Sequence, residues 1–220
     1  MSILTMENVS FAYDRRTPVL RNLSIQFDQG GAYAVVGRSG AGKTTLLSLL
    51  GHLMRPTMGN IFFDGRNIFE MNEYFYRSHC VGLVFQNYNL LPRLSALENV
   101  ELSMNIAQSG SRHKQVDAEH YLQKMGLTKA QANRRVLKLS GGQQQRVAIA
   151  RAISTDAKVI LADEPTGNLD KQTGMEVLDL MLDLAHNEGK CVVIVTHAQD
   201  IAMRCDAIFK LPLVNPVGVA

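Results

Sequence analysis

One short loop constrains the fold of this chain more than any other part of its sequence. It reads Gly37-Arg38-Ser39-Gly40-Ala41-Gly42-Lys43-Thr44 and fits the pattern G-x-x-x-x-G-K-[ST] at every fixed position. An apolar run at residues 33–36 precedes the loop directly, and a helical run at residues 45–50 follows it. The sequence therefore predicts a buried strand, a glycine-rich turn and a helix start in immediate succession.

The chemistry of this loop points to a bound phosphate. Glycines allow successive backbone amides to turn inward around an anion, and the helix N-terminus adds partial positive charge. Lys43 is placed to reach the terminal phosphates of a nucleotide, and the Thr44 hydroxyl is a ligand for Mg²⁺. We therefore predict a phosphate site at residues 37–44; the alternative is a glycine-rich turn without a ligand.

Five short apolar runs predict the strands of a mainly parallel sheet. They are residues 33–36, 81–85, 159–162, 191–195 and 207–211. Apolar residues follow one another without alternation in these runs, as in strands that are covered on both faces. After the third run, an apolar stripe at helical spacing, ended by Gly189, predicts the crossover helix of a βαβ unit. The stripe consists of Val177, Leu178, Met181, Leu184 and Ala185.

The remaining segments have a different character. Residues 3–27 and 60–69 mix or alternate polarity, which predicts a mostly antiparallel sheet beside the parallel one. Residues from about 87 to 156 contain several helical stretches and little strand pattern. Two capping boxes predict helix starts, because a serine hydroxyl and a side chain three residues later exchange hydrogen bonds with the backbone. The pairs are Ser95 with Glu98 and Ser140 with Gln143.

Length and composition restrict the class of protein. A chain of 220 residues, 46% of them apolar, is predicted to form a single domain with its own core. No apolar run approaches the roughly 20 residues of a membrane span, and the N-terminus lacks the pattern of a secretion leader, so we expect a cytosolic protein. Cys80, Cys191 and Cys205 lack metal-ligand spacing and are expected to be buried thiols, with neither a disulfide nor zinc.

The charge of the chain gives no reason to expect a nucleic acid partner. The formal net charge is only +3. The basic clusters, at residues 15–16, 112–114 and 134–135, are short and contain no interleaved aromatic residues. We interpret them as solvated surface.

Polar residues follow three of the predicted strands where each strand ends. Gln86 follows residues 81–85, Asp163 and Glu164 follow residues 159–162, and His197 comes after Thr196 at the end of the fourth run. Because ligands bind beyond the carboxyl ends of parallel strands, we expect these side chains to converge on the phosphate loop. Asp163 is a candidate Mg²⁺ ligand and Glu164 a candidate general base. Each of these residues, taken alone, would also be an ordinary polar residue at the solvent-exposed end of a strand.

Residues 139–152 complete a resemblance to a known family. The segment begins Leu139-Ser140-Gly141-Gly142-Gln143 and is similar to the signature motif of the nucleotide-binding subunits of ATP-binding cassette (ABC) transporters. The resemblance covers nearly the whole chain. Residues 37–45, which include Thr45, resemble the Walker A loop, and residues 159–164 resemble the Walker B strand with its catalytic glutamate. Gln86, Asp170 and His197 stand at the positions of the Q-loop glutamine, the D-loop aspartate and the switch histidine, and Tyr13 at that of the adenine-stacking aromatic.

This resemblance implies an α/β fold of the ABC ATPase type. It has a P-loop NTPase core with a mainly parallel sheet, an N-terminal antiparallel β subdomain and an inserted helical subdomain, here at about residues 87–157. It also implies that two copies sandwich two ATP molecules, each held between one chain's Walker motifs and the other chain's Ser140, Gly141, Gly142 and Gln143. Catalysis would involve Glu164, His197 and Gln86, and Mg²⁺ would be held by Thr44, Gln86 and Asp163. The implied activity is ATP hydrolysis coupled to transport.

Three segments have sequences that resemble those of the MacB-, LolD- and FtsE-like cassettes: residues 85–92, 96–100 and 162–170. Membership would imply a membrane subunit with few spans and a large extracytoplasmic domain, and a peripheral place on the inner face of the cell membrane. Leu90, Leu91 and Leu94 are a candidate docking surface, or alternatively cap the helical lobe.

The sequence supports three alternatives to a transport subunit to different degrees. A regulatory module that activates an envelope enzyme would use the same chemistry. A cytosolic ABC ATPase acting on DNA or ribosomes usually has two cassettes or long insertions, and 220 residues leave room for neither. A small-molecule kinase is disfavoured by residues 139–143. The sequence also departs from the family pattern at Arg38, after His197, and at residues 214–218, while Tyr13 also fits a plain edge-strand aromatic.

Overall fold

The computed structural model describes residues 1–14, 18–108 and 114–214. Within these residues the chain forms two sheets and a set of helices. In chain order the strands are β1 (Ser2–Ala12), β2 (Pro18–Asp28), β3 (Ala32–Val36), β4 (Met58–Phe63), β5 (Arg66–Asn67), β6 (Val81–Val84), β7 (Val159–Asp163), β8 (Cys191–Thr196) and β9 (Ala207–Lys210). The helices are α1 (Lys43–Leu50), α2 (Glu73–Phe75), α3 (Ala96–Ile106), α4 (Lys114–Lys124), α5 (Lys129–Ala132), α6 (Gly141–Ile153), α7 (Lys171–His186) and α8 (Gln199–Ala202).

The larger sheet is parallel and has the strand order β6-β7-β8-β3-β9. Its side chains alternate between two apolar clusters. Ile160 and Ile194 pack with the helices on one face, whereas Leu161 and Val193 pack on the other face with α1 and the smaller sheet. Burial on both faces explains why four of the five runs are apolar without alternation.

The fifth run is the exception, and the prediction that it is covered on both faces is wrong. It forms β9 at the edge of the sheet, where it pairs with β3 and with no other strand of the described residues. Its side chains alternate in exposure, and Ile208 is 45% exposed. An edge strand can expose one face to solvent, and the apolar sequence alone does not reveal the position of a strand in its sheet.

The smaller sheet is antiparallel, as predicted, with the order β2-β1-β4-β5. Its last two strands are joined by Asp64 and Gly65, which have φ angles of 49° and 75°. Both positive angles fit a two-residue hairpin turn, which the Asp-Gly pair favours. The predicted strand region extends too far, because Ile68–Glu70 form a 3₁₀ turn.

The helical stretches predicted between residues 87 and 156 are present as α3 to α6 among the described residues. Both predicted capping boxes are confirmed at Ser95 and Ser140, and an unpredicted third one opens α5 at Thr128. The crossover helix is α7, and the five residues of its predicted stripe are fully buried.

The cysteines, the basic clusters and the lengths of the helices were also subjects of sequence predictions. Cys80 and Cys191 are buried as expected, and Cys205 is partly buried. Arg134 and Arg135 are exposed, whereas residues 15–16, 112–113 and 215–218 lie outside the described residues. Across residues 1–14, 18–108 and 114–214, no helix combines the length and apolar character needed to cross a membrane.

Candidate functional site

The loop between β3 and α1 is shaped for an anion. Gly40 and Gly42 have φ angles of 79° and 88°, a region that glycine enters without strain. Gly42 also has no room for a side chain, because an added Cβ would lie 2.7 Å from Val19 Cγ1. The first turn of α1 has neither a side-chain cap nor an acidic residue. Its unpaired amides and the helix dipole therefore remain available to a negatively charged ligand.

Lys43 lies across this loop. Its Nζ donates hydrogen bonds to the carbonyl oxygens of Gly37 at 2.9 Å and Arg38 at 3.2 Å. These bonds hold the ammonium group at the loop, where it adds a full positive charge to the partial charges of the helix N-terminus. The Arg38 side chain is exposed and contributes no lining to the cavity beside the loop.

A cavity of about 400 Å³ opens beside the loop. It collects residues from four distant parts of the chain. Three of these parts follow β3, β6 and β7, which end at the same edge of the parallel sheet, and the fourth follows β1 of the smaller sheet. Of the predicted site residues, the following line it: Tyr13, Ser39, Gly40, Gly42, Lys43, Thr44, Thr45, Gln86, Asp163 and Glu164.

The carboxylate of Asp163 lies at the end of β7, half buried beside Thr44. Burial is the largest effect on the pKa of Asp163 and raises it, and the negative charge of Glu164 raises it further. A hydrogen bond with Thr44 and the positive charge of Lys43 lower this pKa, but the net shift is upward. The raised pKa means that the ionised carboxylate lacks sufficient stabilisation from its neighbours, so a nearby cation would favour it. A hydroxyl, a carboxylate and the amide of Gln86 form a set of hard oxygen donors, which suits Mg²⁺.

Glu164 is held in a defined position by β8. Its φ angle is 46°, its amide donates to the Val195 carbonyl at 2.9 Å, and its Oε1 lies 2.8 Å from His197 Nδ1. The Thr196 hydroxyl donates to Oε2 at 3.4 Å. A non-glycine residue with positive φ indicates local backbone strain, which is common where a side chain must be aimed.

His197 differs from Glu164 in its exposure. The histidine side chain is 73% exposed and the glutamate only 14%. Because Nδ1 faces Glu164, the imidazole ring is tethered on one side and open to solvent on the other. Such a ring is free to contact a ligand that enters from above the cavity.

Tyr13 stands at the rim of the cavity. Its side chain is 67% exposed, its ring packs edge-on against Phe11 with 5.0 Å between centroids, and its hydroxyl lies 3.2 Å from Thr45 Oγ1. An exposed aromatic face at this rim is available for stacking on a planar base.

The signature residues do not reach this cavity. Ser140 caps α6 by accepting a bond from the Gln143 amide at 3.3 Å, and the Gln143 side chain accepts one from the Ser140 amide at 3.0 Å. The first backbone bond of the helix runs from Gln144 to the Ser140 carbonyl at 2.9 Å. The Gly141 and Gly142 amides precede that bond, so they are orphan donors at a helix N-terminus.

Contacts within the chain join this helix to the segment after Gln86. An added Cβ on Gly141 would lie 3.0 Å from Tyr88 Oη and 3.4 Å from Leu169 Cδ2. At the other end of α6, Arg151 donates to the carbonyls of Asn89 at 2.5 Å and Tyr88 at 3.0 Å. Burial lowers the pKa of Arg151. Arg151 thus fixes the C-terminal end of α6 to the segment after Gln86, and the Tyr88 side chain of that segment lies close to Gly141 at the N-terminal end.

Asp170 also lies outside the cavity. It caps α7, and its carboxylate accepts the Thr173 amide at 3.0 Å. Hydrogen bonds from Thr173 lower the pKa of Asp170. The structure therefore divides the predicted residues into a group around the cavity and a second group at the N-termini of α6 and α7.

Asn168 belongs to the segment 168–170 that resembles the D-loop, but the sequence did not predict that it contacts Gln86. Its Nδ2 donates to the Gln86 carbonyl at 3.0 Å, and Gln86 Nε2 donates to its Oδ1 at 3.4 Å. Thr196 directly precedes His197, and that position alone does not predict its bond to Glu164. A pairing between residues 82 positions apart leaves no local sequence pattern.

Comparison with known proteins gives one consistent result. The family model described as ABC transporter matches residues 20–167. The chain is 46% identical over 212 residues to the uncharacterized ABC transporter ATP-binding protein YclH of Bacillus subtilis, covering 96% of this chain and 94% of the relative. It is 39% identical over 219 residues to the macrolide export ATP-binding/permease protein MacB of Syntrophobacter fumaroxidans, covering 96% of this chain but 30% of that protein.

A solved structure agrees with the fold. The dimeric post-hydrolysis state of the ATP-binding cassette MJ0796 bound to ADP and Pi superposes with a TM-score of 0.86 at 35% identity. The match covers 94% of each chain.

Proposed function

This chain belongs to the ABC transporter family as an ATP-binding subunit with ATPase activity, and we propose that the residues around the cavity bind and hydrolyse ATP for a membrane partner. One observation carries the proposal. The phosphate loop follows β3, Gln86 follows β6, and Asp163 and Glu164 lie at the end of β7, yet all of them line one cavity. This arrangement provides a phosphate-binding loop, oxygen ligands for a metal ion and a candidate general base, three of the parts on which phosphoryl transfer to water depends.

The loop and Lys43 bind the phosphates of ATP, and Tyr13 stacks on the adenine. Thr44, Asp163 and Gln86 would hold Mg²⁺, which neutralises charge on the phosphates when it is bound. The raised pKa of Asp163 supports this role, since a half-buried carboxylate without a full partner is stabilised by a cation.

Glu164 acts as the general base. It accepts the proton of the attacking water, while His197 and Thr196 keep its carboxylate aimed through bonds of 2.8 Å and 3.4 Å. The exposed side of the His197 ring contacts the γ-phosphate. The positive φ of Glu164 is consistent with a backbone that is strained to aim the side chain.

The signature residues serve a second copy of the chain. In their own chain, Ser140 to Gln143 lie outside the cavity, yet the orphan amides of Gly141 and Gly142 and the α6 dipole form an anion site. A symmetric dimer that places each signature loop over the partner's cavity would satisfy both observations. The family neighbour MJ0796 has been solved as a dimer with ADP and Pi.

A mixing experiment tests this arrangement. Lys43→Ala removes a phosphate contact but keeps the signature, whereas Ser140→Asp keeps a good helix cap and puts a carboxylate where the partner's phosphate would lie. Each variant alone should have very low ATPase activity. An equal mixture should recover about a quarter of wild-type phosphate release, since half of the dimers are mixed and each has one intact site. A mixture as inactive as its components would contradict the shared sites.

We further propose that the partner is a membrane permease with few spans and a large extracytoplasmic domain, which holds this chain on the inner face of the membrane. The similarity to MacB, in which a cassette and a permease form one protein, supports this partner. The similarity to MacB also favours a transport role over the regulatory, nucleic-acid and kinase alternatives. Of the three candidate docking leucines, Leu91 is the most exposed at 46%, and Leu90 packs on the helical core.

Co-purification from detergent extracts tests the partner. The chain should retain the membrane protein encoded by a neighbouring reading frame, with about four predicted spans; a six-span permease would overturn the proposal. Leu91→Ser should weaken co-purification without changing ATP affinity, because Asn99 fixes the Leu91 backbone through bonds of 2.8 Å and 3.2 Å. Met203→Ser, at another exposed apolar residue, is the matched control.

A further inference from the structure

Gln86 and Asn168 are joined by two hydrogen bonds beside the cavity. Asn168 Nδ2 donates to the backbone carbonyl of Gln86 at 3.0 Å, and Gln86 Nε2 donates to Asn168 Oδ1 at 3.4 Å. Both residues are exposed, and neither belongs to a strand or helix. Exposed hydrogen bonds contribute little to stability, so the fold does not depend on this pair.

The first of these bonds fixes the orientation of both amides. A backbone carbonyl only accepts hydrogen bonds, so the NH₂ group of Asn168 must face it. The Oδ1 atom of Asn168 is then directed elsewhere and accepts a bond from the NH₂ group of Gln86. The Gln86 amide is therefore held by its nitrogen, which leaves Oε1 as the atom that Asn168 does not use.

The orientation of this amide matters because Gln86 lines the cavity together with Thr44 and Asp163. An amide oxygen is a ligand for a hard divalent cation, whereas an NH₂ group would present two positive hydrogens to it. A glutamine that rotates freely presents either end. Gly167 adds a steric constraint, since an added Cβ there would lie 3.1 Å from Gln86 Nε2.

We propose that Asn168 is a positioning residue that fixes the Gln86 amide with Oε1, rather than Nε2, toward the divalent cation bound with ATP. The proposal rests on the function proposed above. It assigns Asn168 a role within its own chain, and it explains why Gly167, the residue before it, leaves room for the Gln86 amide.

Mn²⁺ binding provides a direct test. Mn²⁺ replaces Mg²⁺ as a paramagnetic probe, and free Mn²⁺ is counted by electron paramagnetic resonance in the presence of a non-hydrolysable ATP analogue. Asn168→Ala should weaken Mn²⁺ binding about tenfold, at the lower end of the range for residues that orient a metal ligand. Affinity for the analogue in EDTA and the thermal midpoint should match the wild type. Wild-type Mn²⁺ affinity in Asn168→Ala would overturn the proposal.

A double-mutant cycle separates positioning from other effects. Gln86→Ala should weaken Mn²⁺ binding by itself, and adding Asn168→Ala should then cost nothing further, because the amide to be positioned is gone. Additive losses would mean that Asn168 acts independently of Gln86 and would refute the assigned role. Gly167→Ala, which crowds Gln86 Nε2, should also weaken Mn²⁺ binding.

Two controls keep the interpretation clear. Asn133→Ala removes an exposed amide that donates to the Lys129 carbonyl at 2.9 Å, and it should bind Mn²⁺ like the wild type. If the wild-type chain itself failed to bind the ATP analogue, the proposed function would fail. If it bound the analogue and Asn168→Ala bound Mn²⁺ equally well, only the positioning role would fail.

Discussion

Glu164→Gln is expected to lower the rate of ATP hydrolysis by about 10²- to 10⁴-fold, the usual contribution of a positioned general base. Glutamine has nearly the same shape as glutamate but cannot accept a proton from water. Its amide oxygen can still accept a hydrogen bond from His197 or Thr196, which lie 2.8 Å and 3.4 Å from the native carboxylate. The loss would therefore arise from the missing base and not from a displaced side chain.

ATP binding should survive this substitution. Glu164 is at the end of β7, whereas the phosphate loop follows β3 on the other side of β8. Removing its negative charge also reduces repulsion of the phosphates, since that charge already raises the pKa of the neighbouring Asp163. We therefore expect ATP to accumulate in the site and to hold two copies of the chain together.

Phosphate release and size-exclusion chromatography with ATP and Mg²⁺ measure these two effects. Glu164→Gln should elute as a dimer with ATP and as the wild-type species without it. Glu176→Gln is a suitable control, because Glu176 is an exposed carboxylate that pairs with Arg146 at 2.6 Å away from the cavity. Turnover at the wild-type rate in Glu164→Gln would refute the catalytic role.

Lys43→Ala is expected to weaken ATP binding by about 10²-fold. Hydrogen bonds to charged groups contribute about 1.5–3 kcal/mol each, and Lys43 is the charged donor of the loop that lines the cavity. The variant also loses the bonds from Nζ to the Gly37 and Arg38 carbonyls. These bonds are at least partly exposed, so their loss should change the stability of the fold only slightly.

Isothermal titration calorimetry with ATP and Mg²⁺ measures the affinity. Lys129→Ala, which removes an exposed ammonium group 3.5 Å from Glu119, should bind ATP like the wild type. Unchanged ATP affinity in Lys43→Ala would mean that the cavity beside the loop is not the nucleotide site.

Much of the fold could be predicted because it depends on local patterns. Unbroken apolar runs identify the strands of the parallel sheet, and the stripe from Val177 to Ala185 identifies α7. The turn at Asp64-Gly65 and the caps at Ser95 and Ser140 are set by residues within three positions of each other. The loop before α1 belongs to the same class, since glycine spacing and the lysine occur in one short segment.

Other features depend on contacts between distant residues and could not be predicted in this way. The exposure of Ile208 follows from the place of β9 at the sheet edge, although its sequence resembles that of the buried strands. The bonds between Gln86 and Asn168 join two loops that follow different strands. Leu90 and Leu91 are adjacent and chemically identical, yet one packs on the core and the other is largely exposed.

Local sequence patterns predict the chemical groups of the proposed site: a phosphate loop, acidic and amide side chains at strand ends, and a second glycine-containing helix start. Their arrangement in space depends on the tertiary structure. The order β6-β7-β8-β3-β9 places the ends that carry Gln86, Asp163 and His197 next to one another and beside the loop after β3. Packing of α6 directly on Gly82 of β6, by contrast, holds the signature loop outside its own cavity. Strand order and helix packing are set by burial of apolar surface between distant segments, and no local pattern specifies that burial.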